Sequence, residues 1–158
     1  MKRARQLVLL VVVLLVMAVV GTSIVAISVV RQSFPETGGE LQIEGLTSSV
    51  TVNRDDRGIP SIYADNANDL FRAQGFVSAQ DRFFEMDLRR HVTAGRLSEL
   101  VGSSGLDKDK VIRTMGWRRV AEQELPKLAP ETRQYLQAYA DGVNAYIKQA
   151  GSPEKMSL

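Results

Sequence analysis

The sequence predicts an α+β protein in which a long apolar N-terminal helix precedes a β-hairpin and a mostly helical remainder. Three patterns indicate this class. Residues 7–30 form an uncharged run of 24 residues. Two short stretches, 49–53 and 59–64, alternate in polarity and contain β-branched residues, which is typical of strands. Further along the chain, apolar residues recur at the spacing of amphipathic helices.

The run at residues 7–30 predicts a membrane span. As a helix it would reach roughly 36 Å, and the hydrocarbon core of a bilayer is about 30 Å thick. Lys2, Arg3 and Arg5 precede it, which predicts a cytoplasmic N-terminus. We expect residues 1–6 to be a basic cytoplasmic tail, the run to be an uncleaved single-pass anchor, and the C-terminal part to be extracytoplasmic. The alternatives are a cleaved signal peptide, whose apolar core is usually about 7–15 residues long, and a buried soluble helix.

The charge balance argues against a nucleic-acid partner. Lys and Arg number 20, and Asp and Glu number 18. Three of the basic residues belong to the N-terminal tail, so residues 31–158 are close to neutral and show no concentrated basic face of the kind that binds nucleic acid. The chain has no cysteine, which excludes a disulfide, a thiol nucleophile and a thiolate metal site.

The segment after the predicted anchor contains the strands. Residues 31–40 are polar and include proline and glycine, so they predict a linker. Residues 41–43 alternate and predict a short strand. Residues 49–53 and 59–64 predict a hairpin whose five-residue loop, 54–58, contains a glycine.

A long helix is predicted next. Residues 65–69 offer several N-cap side chains, and the helix should run to about His91. Gly75 lies inside it and suggests close packing against another element, because a mid-helix glycine costs about 1 kcal/mol relative to alanine. The apolar stripe comprises Leu70, Ala73, Phe76, Val77, Phe83, Phe84 and Leu88.

Shorter helices and one long one complete the chain. Residues 97–101 and 107–114 predict short helices, the first closed by Gly102. Pro130 opens the last helix, and residues 151–153 end it. Its apolar stripe comprises Tyr135, Leu136, Tyr139, Val143, Tyr146 and Ile147.

No constellation in these residues predicts a catalytic site. The one histidine, His91, follows Arg89 and Arg90, and neighbouring cations disfavour proton uptake; a surface or structural role is favoured. The following serines lie in none of the known nucleophile motifs: Ser61, Ser78, Ser98, Ser103 and Ser104.

The acidic residues predict no metal site either. Asp107 and Asp109 lack the glycine and glutamate of an EF-hand loop, and Asp55 and Asp56 form a turn pair; all four are interpreted as solvated acids. Residues 102–105 lack the Lys-Ser/Thr of a phosphate-binding loop and predict a flexible turn.

One acidic pair leaves two alternatives open. Asp81 and Glu85 share a helix face, which is compatible with general acid–base chemistry. Arg82 and Arg89 are close in sequence, so an ion-pair network is the favoured interpretation.

Four ordered stretches carry a family resemblance. They read VTVNRD, GIP and IYA within 50–64; DLFRAQGF and AQDRFFEM within 69–86; RR and GRLSEL within 89–100; and LQAYADGVNAYI at 136–147. Together they resemble the start of the penicillin acylase (penicillin amidase) family over about residues 41–149. Two departures are visible: many members have His where this chain has Ser61, and Ser where it has Ala129.

The resemblance implies a fold and a chemistry. Family members are N-terminal-nucleophile hydrolases with an αββα sandwich, made as a zymogen that cuts itself into an α chain and a β chain. The first residue of the β chain, usually Ser, attacks the amide of a small N-acyl substrate, such as a β-lactam, an acyl-homoserine lactone or a lipopeptide. Its own α-amino group acts as the base, and calcium is a further expectation for the complete enzyme.

The resemblance also implies that the chemistry lies elsewhere. We expect residues 41–158 to be the incomplete start of the α chain, with no catalytic, cofactor-binding or metal-binding residue, and the missing β chain to be its partner. The 158-residue chain alone should be inactive. The alternative is a non-catalytic, membrane-anchored binding or scaffold domain derived from the same family.

Overall fold

An isolated apolar helix begins the chain. The computed structural model describes residues 2–32, 34 and 37–151. Helix α1 spans Lys2–Gln32. It contains the strongly apolar segment Leu9–Arg31, 23 residues of which none is buried. By length and composition this helix is able to cross a membrane, and a signal sequence near an N-terminus has the same two properties.

The predicted hairpin is confirmed. Strand β1 (Thr51–Arg54) pairs antiparallel with β2 (Pro60–Tyr63), with Arg54 opposite Pro60. Five residues join the strands, and Asp55 Oδ1 accepts the backbone N–H groups of Arg57 and Ile59 at 2.9 and 2.8 Å. Gly58 supplies the positive φ of 78° that the turn requires. Pro60 lies at the first position of β2, where its missing N–H costs no ladder bond.

The long central helix is also confirmed. Helix α2 spans Ala67–Thr93, and the Asn66 side-chain oxygen caps it by accepting the Asp69 N–H at 2.9 Å. The helix breaks at Arg82, where φ is −145° and ψ is 34°. The break redirects the second half of the helix, so the predicted stripe is wrong at Phe84, whose side chain is exposed.

Five further helical elements follow before the last helix. They are α3 (Ser98–Val101), a 3₁₀ turn (Gly102–Gly105), α4 (Leu106–Met115), α5 (Trp117–Glu124) and a second 3₁₀ turn (Leu125–Lys127). Helices α3 and α4 agree with the prediction, whereas α5 was not predicted. The segment predicted to be a flexible turn is instead the first 3₁₀ turn, whose Gly105 packs against the Ser98 backbone.

The last helix, α6, spans Pro130–Ala150. Its predicted start at Pro130 is confirmed, and Ala129 provides no side-chain cap. Gly151 closes the helix with a φ of 69°. The other two predicted stop residues, 152 and 153, and the predicted end of this unit at residue 158 lie outside the described residues. The stripe is wrong at Leu136, which is exposed.

Helices α2 and α6 cross at two glycines. A methyl group on Gly75 would overlap the carbonyl oxygen of Tyr139, and one on Gly142 would overlap the carbonyl oxygen of Arg72. The close packing predicted at Gly75 is therefore confirmed, and the approach is reciprocal. Beside the crossing lies the core cluster, where the Phe76 ring meets the edge of the Tyr146 ring, with their centroids 5.7 Å apart.

The predicted strand at residues 41–43 is wrong. The segment has no regular secondary structure. Its side chains still alternate in burial: Leu41 and Ile43 pack against the core cluster, while Gln42 is exposed. A strand needs a neighbouring strand to accept and donate its ladder of hydrogen bonds, and this segment packs on side chains of α2 and α6 instead.

Candidate functional site

A cleft of about 730 Å³ lies between the hairpin and the break in α2. Tyr139 of α6 and Ser78 of α2 contribute to its wall. Four arginines and two acids supply its charge: Arg54, Arg57, Asp81, Arg82, Glu85 and Arg89. In this cleft the acid pair identified from the sequence, Asp81 and Glu85, lies beside other polar groups.

Arg54 and Asp81 form a largely buried ion pair at the base of this cleft. Both guanidinium Nη atoms of Arg54 donate to the Asp81 carboxylate at 2.8 Å, and the two side chains are 12% and 21% exposed. Arg54 also donates to the Gly58 carbonyl and to Gln80 Oε1. This two-bond geometry is the strong form of a carboxylate–arginine contact, and it fixes the hairpin to α2.

Glu85 has different partners. Its carboxylate accepts from Arg89 at 2.8 Å and lies 3.7 Å from Arg82. The hydrogen bond and charge of Arg89 lower the pKa of Glu85, partly opposed by burial. A carboxylate with a lowered pKa is a weaker base at neutral pH. The predicted ion-pairing is confirmed for both acids, but the partner of Asp81 is Arg54 of the hairpin and not Arg82 or Arg89.

His91 is surrounded by acids rather than by the arginines beside it in sequence. Its ring is buried, Nδ1 lies 2.8 Å from the Asp87 carbonyl oxygen and 3.4 Å from Asp87 Oδ2, and Nε2 lies 3.9 Å from Glu99 Oε2. Arg89 and Arg90 turn outward to carboxylates of their own helix. The expected cationic environment is wrong, since adjacent residues on a helix do not share a face, whereas residues four apart do.

Asp69 is a buried carboxylate that the sequence analysis missed. It is 1% exposed and accepts from Thr47 N (3.0 Å), Thr47 Oγ1 (2.6 Å), Ser48 N (3.0 Å) and Asn66 Nδ2 (2.7 Å). Burial raises its pKa, but the hydrogen bonds from Thr47, Asn66 and Ser48 outweigh it and lower the pKa to about 2. An acid three residues after the capping residue, as in a capping box, is the signal that could have revealed it.

Asp109 binds the backbone of Leu97 and Ser98 in the way that Asp69 binds the backbone of Thr47 and Ser48. Its carboxylate accepts from Leu97 N (2.7 Å), Ser98 N (2.8 Å) and Ser98 Oγ (2.6 Å). Burial raises its pKa, yet the hydrogen bonds from Ser98 and Leu97 produce a net lowering. The expectation of a solvated acid is therefore wrong for Asp109, and it is confirmed for the exposed Asp107.

The remaining candidates are dispersed. Ser98 Oγ is engaged by Asp109, and Ser104 Oγ donates to the Val101 carbonyl at 2.8 Å. Ser61 lies exposed on β2, and Ser103 is exposed in the first 3₁₀ turn. Within residues 2–32, 34 and 37–151, no three His, Asp or Glu side chains converge in a group that could hold a metal ion.

The comparison with known families decides the classification. The model of the penicillin amidase family matches residues 49–157, which is more than half of the chain. The chain belongs to the penicillin amidase family. The hairpin, α2 and α6, which carry three of the four resembling stretches, are thus the structural elements of this penicillin amidase segment.

Curated relatives bear two kinds of name. Penicillin acylase 2 proenzyme of Pseudomonas sp. is 39% identical over 123 residues, covering 78% of this chain and 16% of the relative. Penicillin G acylase of Escherichia coli is 38% identical over 114 residues, covering 72% and 14%. Acyl-homoserine lactone acylase QuiP of Pseudomonas aeruginosa is 36% identical over 115 residues, covering 73% and 14%. The chain therefore spans only 14–16% of the length of these relatives.

A solved structure supports the fold. The thermostable penicillin G acylase from Alcaligenes faecalis matches with a TM-score of 0.59 and 31% sequence identity, over 65% of this chain and 55% of that one. Sequence and structure thus agree on a penicillin amidase segment, built as an apolar N-terminal helix, a two-stranded sheet and mostly helices.

Proposed function

We propose that this chain is the membrane-anchored N-terminal part of an extracytoplasmic amidohydrolase that cleaves the amide bond of N-acyl compounds. The observation that carries the proposal is the penicillin amidase match across residues 49–157. The relatives' names supply the substrate class, since two are penicillin acylases and one is an acyl-homoserine lactone acylase. The substrate is accordingly a β-lactam, acyl-homoserine lactone or lipopeptide type of amide.

The nucleophile of this enzyme belongs to a β chain outside the present residues. One relative is named a proenzyme, and the relatives are several times longer than this chain, which supports a larger precursor. Asp81, Glu85 and Asp109 accept strong hydrogen bonds from arginine side chains or backbone N–H groups, and we assign them to local packing. The described elements then serve as one edge of an αββα sandwich, and calcium would bind elsewhere in the complete enzyme.

Helix α1 anchors the enzyme in the membrane. Its apolar segment Leu9–Arg31 is long enough to span. The basic residues before it favour a cytoplasmic N-terminus and an exported remainder. The tail is then residues 1–6, and the anchor is residues 7–30. The linker is residues 31–40, and the start of the α chain is residues 41–158.

The activity is tested by comparing two gene products. One ends at residue 158, and the other includes whatever reading frame follows. Both are assayed for acid release from a phenylacetyl amide and from a long-chain acyl-homoserine lactone. We expect hydrolysis by the longer product only. Turnover by the 158-residue chain that survives repurification contradicts a distant nucleophile. A frame that ends at residue 158, or a longer product inactive on every N-acyl probe, favours the scaffold alternative.

A further inference from the structure

A buried histidine lies where α2 meets α3. His91 belongs to the last turn of α2 and is 8% exposed. Its backbone carbonyl accepts the Arg96 N–H at 2.8 Å. Its ring lies between Asp87, one turn earlier in α2, and Glu99 of α3. A change in this ring therefore acts directly on the contact between the two helices.

The contact at Nδ1 determines where the ring of His91 carries a hydrogen. Nδ1 lies 2.8 Å from the Asp87 carbonyl oxygen, and a carbonyl oxygen can only accept a hydrogen bond. Nδ1 is thus the donor in both charge states of the ring. In the neutral ring Nε2 then has no hydrogen, and its lone pair faces Glu99 Oε2 at 3.9 Å. Two acceptors that face each other form no hydrogen bond.

A second proton on the ring changes the contact at Nε2. Protonated imidazole donates from both nitrogens, so Nε2–H then points at the Glu99 carboxylate. The hydrogen bond from Arg96 lowers the pKa of Glu99, partly opposed by burial, which keeps Glu99 an acceptor in mildly acidic solution. The separation of 3.9 Å is about 1 Å longer than a hydrogen bond. The half-exposed Glu99 side chain has room to close it.

The charged groups around the ring come from three parts of the fold. They are Asp87 and Arg90 of α2, Arg96 and Glu99 at the start of α3, and Asp109 and Arg113 of α4. The three arginines moderate how tightly the ring holds a proton. Since arginine is only a donor, none of them can accept the Nε2 hydrogen. Asp109 is bound to the Leu97 and Ser98 backbone, so Glu99 is the acceptor that faces Nε2.

A response of this chain to mildly acidic pH points to one side chain. The chain has one histidine and no cysteine, and histidine is the side chain whose charge ordinarily changes between about pH 8 and pH 5. The α-amino group also titrates near this range, but it precedes α1 and is remote in sequence from α3. Changes in the packing of α3 over this range can therefore be assigned to His91.

We propose that His91 and Glu99 form a proton-operated clasp between α2 and α3. Uptake of a proton at Nε2 creates a hydrogen bond to Glu99 and holds α3 against the end of α2. Loss of that proton restores a lone pair at Nε2 and loosens the contact. The clasp depends only on packing within this chain and not on the amidohydrolase activity. In the topology proposed above, its proton comes from the extracytoplasmic medium.

The ring nitrogens report the proton directly. The full chain is prepared in detergent micelles with ¹⁵N-labelled histidine, so that its single imidazole gives the ring signals. At about pH 8 we expect the tautomer with a hydrogen on Nδ1 and none on Nε2. As the pH falls, Nε2 should gain a hydrogen while Nδ1 keeps its own.

Amide exchange reports the packing of α3. Protection factors, which correct for the intrinsic pH dependence of exchange, are measured for residues 97–102 at about pH 8 and about pH 5.5. We expect them to be about three- to fivefold larger at the lower pH, the size of effect expected for a partly exposed ion pair. Amides in the middle of α6 are the internal control and should show no such change.

Two substitutions at residue 91 mimic the two halves of the ring. In His91→Asn the amide nitrogen can replace Nδ1 but does not reach Glu99, so protection of residues 97–102 should be low at both pH values. In His91→Gln the amide nitrogen can reach the position of Nε2 and donate permanently. Protection should then be high and independent of pH.

A third substitution separates proton uptake from the clasp. Glu99→Ala keeps the ring and removes its acceptor, so Nε2 should still gain a hydrogen while protection of residues 97–102 no longer changes with pH. The matched control is Asp107→Ala, which removes a fully exposed acid of α4 and should leave the pH response intact.

Each of four outcomes overturns the clasp. A hydrogen on Nε2 instead of Nδ1 at about pH 8 would show that the Asp87 contact is not a donor contact. A ring that is still neutral at about pH 5.5, or one that gains its proton while protection stays constant, would show that no proton acts on α3. A pH response that persists in Glu99→Ala would place the acceptor elsewhere. If a variant does not fold, the two measurements on the parent chain decide the proposal by themselves.

Discussion

At the scale of single residues, the crossing of α2 and α6 depends on two positions that carry no side chain. Alanine in place of a mid-helix glycine normally stabilises a helix by about 1 kcal/mol. At Gly75 the added methyl group would overlap the Tyr139 carbonyl oxygen, and overpacking of this kind costs about 1–3 kcal/mol. We therefore predict that Gly75→Ala accelerates hydrogen exchange of the α2 and α6 amides by about 10-fold.

The matched control for this substitution is Gly38→Ala, whose methyl group would meet nothing within 4 Å. It should leave exchange in both helices unchanged. Slower exchange in Gly75→Ala than in the parent would show that helix propensity outweighs the close approach, and that the two helices have room to separate.

Asp69 predicts a dependence of stability on pH. Its pKa is lowered to about 2 in the folded chain from an ordinary 3.8. Its stabilising contribution is therefore fully present above about pH 3.8 and is lost as the pH falls towards 2. Asp69→Asn should cost about 2 kcal/mol at neutral pH, because it removes charge-assisted hydrogen bonds to Thr47 and Ser48.

Hydrogen exchange at the start of α2, measured from pH 7 down to pH 2, tests this dependence. The gap between parent and Asp69→Asn should shrink only below about pH 4. A difference in exchange rate that stays constant with pH would mean that the charge of Asp69 does not stabilise its contact with Thr47 and Ser48.

Single residues also show where prediction from sequence stops. The N-cap at Asn66 and the close packing at Gly75 could be predicted, because a capping side chain and a glycine inside a helical pattern are both visible in the local sequence. The roles of Asp109 and His91 could not. Asp109 binds the backbone of Leu97 and Ser98, and His91 faces Glu99. Both contacts depend on how two helices pack together.

At the scale of elements, the pair between Arg54 and Asp81 attaches the hairpin to α2. We predict that Arg54→Gln accelerates exchange of the β1 and β2 amides by about 10-fold, since it leaves a largely buried carboxylate without its charged partner. Arg54→Lys should be nearly as disruptive, because an ammonium group cannot form the two-bond contact.

Arg57→Gln, in the exposed turn of the same hairpin, is the control and should have no effect. When Arg54→Gln is combined with Asp81→Asn, the loss of protection from exchange should be smaller than the sum of the losses in the two single variants. Additive losses would show that Arg54 and Asp81 act independently and that other contacts hold the hairpin on α2.

Helix α6 starts without a side-chain cap at Ala129. Ala129→Ser would supply the hydroxyl that accepts a first-turn N–H, which typically adds about 1 kcal/mol. We predict about fivefold slower exchange of the first-turn amides of α6. Ala129→Val, which has no acceptor, should not reproduce the effect. If the amides exchange equally fast in Ala129→Ser and in the parent chain, the backbone at residue 129 directs the hydroxyl away from the helix.

Among the elements, the ones with a complete local pattern were predictable. The hairpin, α2, α4 and α6 all follow from alternation, helical spacing, caps and turn residues. Residues 41–43 alternate as a strand would, but their neighbours are helices. Helix α5 was missed because WRRVAEQE is too short and too polar to show an apolar repeat. The break in α2 was missed because no proline or glycine stands at Arg82 to indicate it.

At the scale of the whole molecule, the topology proposed for α1 can be tested directly. We predict that the chain resists carbonate extraction and that a reporter active only outside the cytoplasm works when fused after residue 158. Leu14→Arg combined with Val19→Arg should release the chain, because each charge at the centre of a span costs about 2.5–3.5 kcal/mol. Leu14→Ala with Val19→Ala is the control and should stay in the membrane. An inactive reporter on the parent chain refutes the topology.

The separation in sequence between α2 and α6 has a consequence for the order of events during synthesis. Arg72 and Asp141, which pair across the two helices, are 69 positions apart. At a synthesis rate of about 5–20 residues per second, α2 is complete roughly 3–12 seconds before the end of α6 is made. In that interval Phe76 and Val77 have no partner helix, and we predict that nascent chains halted at residue 128 are cut within α2 by a protease that spares chains extended past residue 151. Protection of the shorter chains would show that a cellular factor shelters this surface while α6 is still being made.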